Sequence, residues 1–117
     1  MSTHQRLEVT EVDGVTVVRF VDRRILDATN IEELGAELIG LVEADNRKKL
    51  LLNFTDVEFL SSATLNQLIV LEKRVKDAKG SLKLSNLRPE IYEVFVITRL
   101  NQLFEIHEEQ GDALGAF

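Results

Sequence analysis

The 117-residue sequence contains no cysteine and only one proline, and no long run of apolar residues interrupts it. The lack of cysteine excludes disulfides, a thiol nucleophile and a zinc–thiolate site, and nothing in the sequence points to an oxidising compartment. A membrane-spanning helix needs roughly 18 consecutive apolar residues, and no segment approaches that length. Met1–Glu8 is polar and lacks the apolar stretch of a signal peptide. These absences predict a cytoplasmic protein without a membrane span.

Positive charge is also scarce, since 14 Lys and Arg stand against 20 Asp and Glu, for a net charge of −6. Sequence-independent binding to nucleic acid requires clustered cations that displace counterions from the phosphates. We therefore expect neither a nucleic-acid partner nor an anionic membrane surface. The apolar fraction of 44% and the length predict one domain over residues 1–117, with a core at about residues 7–107.

Alternation and β-branched residues predict an opening β-hairpin. The alternating segment Leu7–Val12 is followed by Asp13-Gly14 and then by Val15–Val21. Asp-Gly between two such runs is a strong hairpin signal, because both turn positions favour positive φ.

Helix and strand patterns alternate through the rest of the chain. Apolar residues recur at helical spacing from Ile31 to Val42, after a cap at Asp27 or Thr29, and again from Thr64 to Ala78. The other predicted segments are a buried strand Leu50–Phe54, a connection Thr55–Leu60, a strand Ser81–Asn86, a helix from Pro89 to about Thr98, a strand Leu103–Ile106 and a last short helix within residues 107–117. The predicted fold class is α/β, with packed helices on a mixed β-sheet that starts with an N-terminal hairpin and is mostly parallel thereafter.

Residues suited to catalysis or metal binding are sparse. The only histidines, His4 and His107, lie in no ligand-spaced motif, and the six glycines are too scattered for a phosphate-binding loop. Phe59–Ala63 lacks the flanking glycines of a Gly-x-Ser-x-Gly nucleophile elbow. We therefore expect no enzyme activity, no metal and no cofactor.

Two adjacent serines, Ser61 and Ser62, stand where the second helix starts. One interpretation is structural, because a serine at the N-cap accepts a hydrogen bond from a free N–H and stabilises the helix by roughly 0.5–2 kcal/mol. The other is a phosphorylation switch, because a helix N-terminus stabilises anions and a phosphate adds about −1.5 to −2 charges. Both interpretations can hold for the same residue.

Four segments, in the right order, resemble the STAS domain of anti-sigma factor antagonists (anti-anti-sigma factors). They are Asp13–Phe20, similar to the opening hairpin; Leu26–Leu34, similar to the approach to the first helix; Leu50–Leu65, similar to the signature LxxDLSGVxFxDSSGLG; and Leu100–Ile106, similar to the closing GLDRLFEI. The resemblance extends from about Asp13 to Ile106 and implies a single STAS-like domain.

The resemblance implies a function without catalysis. Such antagonists bind an anti-sigma factor, which is often also a serine kinase, and thereby release a sigma factor. The kinase phosphorylates a serine of the signature and weakens binding, and a serine phosphatase resets the switch. An ungapped match places the signature's aspartate and two serines at Ser61, Ser62 and Ala63. Ser62 is therefore the expected phosphorylation site, and Ser61 is the second choice.

We expect the partner-binding surface to surround this helix start. Its candidate residues are Arg23, Arg24, Asp56, Glu58, Ser61, Ser62, Thr64 and Asn66. Ordinary surface charge explains Arg23 and Arg24 equally well. Two other functions stay open at this point: an unswitched STAS interaction or scaffold module of a signalling or transporter complex, and a domain that binds a small ligand or nucleotide. The sequence leaves the oligomeric state undecided.

Overall fold

Strands and helices alternate along the chain after an opening hairpin. The computed structural model describes residues 7–20, 24–25, 28–43 and 47–117. Within them, the strands are β1 (Leu7–Val12), β2 (Val15–Phe20), β3 (Arg24–Ile25), β4 (Lys49–Asn53), β5 (Phe59–Leu60), β6 (Ser81–Ser85) and β7 (Glu105–His107). The helices are α1 (Ala28–Glu43), α2 (Ser62–Asp77), α3 (Pro89–Ile97) and α4 (Gln110–Gly115), with a 3-10 turn at Leu100–Gln102.

Five of the strands form one mixed sheet in the order β1-β2-β4-β6-β7. β1 and β2 are antiparallel, and the turn residues Asp13 and Gly14 have φ values of 52° and 81°, as the Asp-Gly signal predicts. The other neighbours pair in parallel. The predicted fold class is confirmed, and all carboxyl ends of the parallel strands meet at one edge of the sheet.

Helices bury both faces of this sheet. On one face, β4 and β6 contribute Leu50, Leu52 and Leu84 to a core shared with α1, α2 and α3. On the other face, Val17 and Leu51 pack beneath α4 and the C-terminal residues. Because β4 is covered on both sides, its sequence is an unbroken apolar run rather than an alternation. None of the described helices has the length and apolar character needed to cross a membrane.

The predicted connection Thr55–Leu60 is wrong in part, because it contains strand β5. This strand pairs in parallel with β3, and the register places Arg24 opposite Phe59 and Ile25 opposite Leu60. Two-residue strands are too short to show any periodicity in a sequence. The small second sheet lies directly before α2 and fixes the direction in which the chain approaches Ser61.

Two boundaries in the C-terminal half also differ from the predictions because of left-handed residues. The last strand starts at Glu105 rather than Leu103, because Arg99 is left-handed (φ 62°) and the N–H groups of Leu103 and Phe104 donate to the Leu100 carbonyl in a tight turn. Asn86 is left-handed as well, so β6 ends one residue earlier than predicted.

The start of α1 tests only one of its two predicted caps. The helix begins at Ala28, so Thr29 lies inside its first turn and is not the cap. Asp27, the other predicted cap, lies outside the described residues, as does Val21, the predicted end of the second strand.

Two residues after the C-cap of α2, Lys79 and Gly80, turn the chain toward β6. Lys79 takes the left-handed conformation (φ 61°), while the Gly80 N–H donates to the Val75 carbonyl at 2.8 Å. A Cβ atom on Gly80 would lie 2.3 Å from the Lys48 carbonyl oxygen. Glycine is therefore required here because the chain passes close to the start of β4.

Candidate functional site

Ser61 is the N-cap of α2. Its backbone is extended (φ −88°, ψ 168°), and its hydroxyl oxygen accepts a hydrogen bond from the Thr64 N–H at 3.4 Å. The hydroxyl groups of Ser61 and Thr64 are also 3.3 Å apart, and the Leu65 N–H donates to the Ser61 carbonyl at 3.1 Å. The Ser61 side chain is therefore engaged in starting the helix, as the structural interpretation predicts.

Ser62 is the first residue of α2, and its side chain is exposed. The N–H groups of the first helical turn have no partner within the helix and carry the positive end of the helix dipole. A phosphate on this hydroxyl would therefore lie beside favourable donors and partial positive charge. The two adjacent serines thus differ in what their side chains do: one caps the helix, and the other faces solvent.

An exposed stripe runs along α2 from Ser62. Ser62, Asn66, Ile69 and Lys73 are spaced by four, three and four residues, so they share one side of the helix, and all four are exposed. We call these four residues the α2 outer face. The opposite side of the helix is buried in the core through Leu65, Leu68, Leu71 and Val75. Ile69 is 37% exposed and makes the stripe partly apolar.

Hydrogen bonds of the Asn53 side chain restrain the loop that leads to α2. This side chain is only 6% exposed. Its oxygen accepts hydrogen bonds from the Thr55 N–H at 2.9 Å and from the Thr55 hydroxyl, and its nitrogen donates to the Gln110 side chain at 2.8 Å. The Phe54 N–H also donates to the Ser85 carbonyl at 3.0 Å. Asn53 therefore joins the end of β4 to α4 and restricts the loop that carries the candidate residues.

Asp56 forms an ion pair that sequence analysis missed. Its carboxylate lies 3.0 Å from the guanidinium of Arg19, which lies on β2. The two side chains are 50% and 44% exposed, so solvent weakens the pair, and such pairs contribute roughly 0.2–1 kcal/mol. Because 37 residues separate the partners, no local pattern could have joined them.

Phe59 is a second feature that sequence analysis missed. This aromatic residue of β5 is 48% exposed, three positions before Ser62. Aromatic side chains are enriched in the centres of protein–protein interfaces. No local periodicity identifies Phe59 as exposed, because the buried residues Val57 and Leu60 flank two exposed positions instead of alternating with them.

The structure brings part of the predicted site together. Asp56, Glu58, Ser62 and Asn66 are exposed along one continuous segment, from the loop after β4 into α2. Thr64 is 1% exposed and belongs to the cap rather than to the surface. Arg23 lies outside the described residues, and Arg24 is described only as part of the β3 backbone, opposite Phe59.

The described residues contain no group of three or more His, Asp or Glu side chains placed to hold a metal ion. The two carboxyl groups whose pKa is shifted, those of Glu72 and Glu105, are not among the predicted site residues. Burial raises the pKa of Glu72 on α2, against the attraction of Lys76 and Lys83. Hydrogen bonds from Lys83 and His107 lower the pKa of Glu105 on β7. What the surface around Ser62 offers is an exposed hydroxyl in a partly apolar patch, which suits binding and modification.

Comparison with known proteins agrees with this fold. The sequence profile of the STAS domain matches residues 6–113. BtrV of Bordetella bronchiseptica, whose name provisionally assigns it as an anti-sigma factor antagonist, is 27% identical over 112 residues, which cover 96% of this chain and 94% of BtrV. The crystal structure of an anti-sigma factor antagonist from Mycobacterium paratuberculosis is similar with a TM-score of 0.80 and 27% identity, over 94% of this chain and 91% of that chain. An anti-sigma-factor antagonist (STAS) domain protein from Planctomyces limnophilus gives a TM-score of 0.81 and 26% identity, over 94% and 95%.

Proposed function

Since this chain belongs to the STAS domain family, we propose that it is an anti-sigma factor antagonist whose binding is controlled by phosphorylation of Ser62. Its partner is an anti-sigma factor that is also a serine kinase, and a serine phosphatase reverses the modification. The protein acts by binding rather than by catalysis.

The observation that carries this proposal is the difference between the two serines. Ser61 is committed to the cap through Thr64, whereas Ser62 is exposed at the first helical position. A kinase can reach the Ser62 hydroxyl without opening the start of α2. Phosphorylation of Ser61 would instead remove the hydrogen bond that starts the helix. This accessibility favours Ser62 even though the signature's second serine is replaced by Ala63.

The proposed binding surface consists of the α2 outer face together with Asp56, Glu58 and Phe59. Phe59 and Ile69 supply apolar contact area, and the polar side chains around them supply the rim that such interfaces have. Arg23 and Arg24 belong to the proposal on sequence grounds alone. Thr64 is excluded from it, because a side chain buried in the cap cannot touch a partner.

Phosphate on Ser62 weakens binding through local charge. It adds about −1.5 to −2 charges to the proposed binding surface, in a protein whose net charge is already −6. A partner that covers Ser62 must then desolvate a dianion. The fold itself survives, because a negative charge in the first turn of a helix is stabilising by roughly 0.3–1 kcal/mol.

The test is the affinity for the anti-sigma factor, measured by titration calorimetry with three proteins. We expect Ser62→Asp to raise Kd at least about tenfold, which corresponds to about 1.4 kcal/mol. Ser62→Asn is the matched control, because it has nearly the same shape without the charge, and its Kd stays within about threefold of wild type. Equal Kd values for wild type and Ser62→Asp would contradict the proposal.

A second variant tests the surface separately from the switch. Ile69→Ser removes an exposed apolar side chain, so it leaves the melting temperature nearly unchanged and weakens partner binding. Lys79→Ser, at the other end of the helix, is the control and leaves Kd unchanged.

The alternative is an unswitched interaction module in which both serines serve only the helix start. The observation that favours it is the cap itself, which already gives Ser61 a structural role, together with Ala63 in place of the second serine. This alternative requires that Ser62→Asp and Ser62→Asn bind the partner equally well.

A further inference from the structure

A cleft of about 480 Å³ lies at the far end of the sheet from the hairpin and is built by elements other than α2. It is lined by Leu87, Pro89, Tyr92, Ile106, His107 and Glu108. Four of these side chains are apolar or aromatic, and they come from the connection between β6 and α3 (Leu87), from α3 (Pro89 and Tyr92) and from β7 (Ile106). A cleft of this volume lies within the range of ligand-binding sites and is sufficient for one or two large side chains of a bound segment.

The cleft borders the edge of the main sheet. β7 is the last strand in the sheet order, and no strand within the described residues pairs with its outer side. The hydrogen bonds made by β6 determine which backbone groups of β7 face outward. The Ser81 N–H donates to the Lys48 carbonyl, and the Ser85 carbonyl accepts from the Phe54 N–H. The backbone groups of these two β6 residues therefore point toward β4.

The backbone N–H and C=O groups of successive residues in a strand point to opposite sides, so those of Leu84 point toward β7. Leu84 lies opposite Ile106, and in a parallel pair a residue bonds to the two neighbours of the residue opposite it. Leu84 therefore pairs with Glu105 and His107. The N–H and C=O groups of Ile106 face outward, at the mouth of the cleft that its side chain lines.

The C-terminal part of the chain, which contains β7 and most of the residues that line the cleft, is acidic. Residues 88–117 carry the carboxylates Glu90, Glu93, Glu105, Glu108, Glu109 and Asp112, against the two cations Arg88 and Arg99. All of these side chains are exposed. Of these carboxylates, Glu105 forms ion pairs within the described residues, with Lys83 at 2.8 Å and with His107 at 2.6 Å. Among the residues that line the cleft, Glu108 carries a carboxylate that has no ion-pair partner within the described residues, and its charge favours a cationic segment.

An apolar surface continues from the cleft along α3. Tyr92 and Val96, one turn apart on the same side of the helix, are 43% exposed each. An extended segment bound to the edge of β7 would lie against this side of α3, with alternate side chains directed into the cleft and away from it.

We propose that the β7 edge and its cleft bind an extended, basic segment of another protein by strand addition. The segment pairs its backbone with Ile106, places an apolar side chain in the cleft and directs lysine or arginine side chains toward the carboxylates. Binding at this edge is independent of Ser62 phosphorylation and adds a second contact to the proposed function.

The first experiment is an NMR titration of the isotope-labelled full chain with a short, terminally blocked peptide of alternating lysine and leucine. The control is the same peptide with glutamate in place of lysine. We expect saturable shifts of the Ile106 amide and its neighbours with the lysine peptide only. Equal binding of both peptides, no shifts, or shifts confined to α2 would overturn the proposal. So would peptide-independent, concentration-dependent shifts at Ile106, because a second copy of the chain would then be the occupant.

Variants separate strand addition from simple cleft filling. Ile106→Pro removes the outward N–H, and proline is tolerated on the outer side of an edge strand. We expect it to raise the peptide Kd at least about tenfold, while the matched control Ile106→Val stays within about twofold. Unchanged binding by Ile106→Pro refutes strand addition. If that variant fails to fold, Tyr92→Lys tests the cleft as the binding site: it adds a cation there and must weaken binding of the lysine peptide, whereas Tyr92→Phe must not.

Discussion

Removal of each serine hydroxyl in turn distinguishes the cap from the modification site. Ser61→Ala deletes the acceptor of the Thr64 N–H, which lies in the part-buried first turn of α2. Ser62→Ala deletes an exposed hydroxyl at the first helical position, where alanine is an excellent helix former. We therefore expect Ser61→Ala to be destabilising and Ser62→Ala to be neutral or slightly stabilising.

The size of the difference follows from the geometry of the cap. Replacement of a serine N-cap by alanine costs roughly 0.5–2 kcal/mol. The distance of 3.4 Å from the Thr64 nitrogen to the Ser61 oxygen is longer than the usual 2.7–3.2 Å, so the loss belongs in the lower part of that range, at about 0.5–1 kcal/mol. For a chain of this length, such a loss lowers the melting temperature by about 2–5 °C.

The assay is urea unfolding followed by circular dichroism, with Ser61→Asn as the conservative variant. Asparagine is an equally good N-cap, so Ser61→Asn should recover most of the stability that Ser61→Ala loses. The slope of the unfolding free energy against urea should not change, because the buried surface is the same. A Ser62→Ala protein that is less stable than Ser61→Ala would refute this division of roles.

Three further predictions concern the framework of the site. Asn53→Ala should lower the free energy of unfolding by about 1–3 kcal/mol, because it removes the hydrogen bonds that hold Thr55. Asn53→Asp retains the acceptor of these hydrogen bonds and should lose less stability. An alanine variant that is as stable as wild type in urea unfolding would contradict this role of Asn53. Gly80→Ala should cost about 1–3 kcal/mol in the same assay, because its Cβ would meet the Lys48 carbonyl oxygen at 2.3 Å, and an unchanged midpoint would show that this approach is not tight. Glu72→Gln should melt at a higher temperature than wild type at pH 7. Burial raises the pKa of the Glu72 carboxyl in the folded state, so the stability that this carboxyl contributes is complete below its pKa in the unfolded state. That contribution is lost as the pH rises through its pKa in the folded state. The difference should vanish below about pH 4, where the wild-type carboxyl is protonated in both states, and a difference that is equal at the two pH values would contradict this cause.

Much of the fold follows from strong local patterns. The Asp13-Gly14 turn identifies the hairpin because few other residue pairs accept two positive φ values in succession. The unbroken run in β4 identifies a strand covered on both faces, and the start of α2 follows from two serines before a helical apolar pattern. In each case a single segment contains the whole signal.

The features that escaped sequence analysis depend on pairs of distant segments. β5 exists because its two residues meet β3, and neither segment has a pattern of its own. Arg19 and Asp56 come together only after β2 and β4 have paired. The N-cap likewise shows why Thr64 was a poor interface candidate: its position in the first turn directs it inward, which no motif match reveals.

The proposed binding switch requires that Ser62, rather than Ser61, is the phosphorylated residue. Trypsin cleavage after Lys49 and Lys73 releases residues 50–73 as one peptide, whose hydroxyl side chains are Thr55, Ser61, Ser62 and Thr64. Tandem mass spectrometry of this peptide, from growing and from stressed cultures of the native cells, separates the two serines by the fragment that ends between them. We expect phosphate on Ser62, with an occupancy that differs between the two cultures. Phosphate on Ser61, or an unmodified peptide in both cultures, would contradict this expectation.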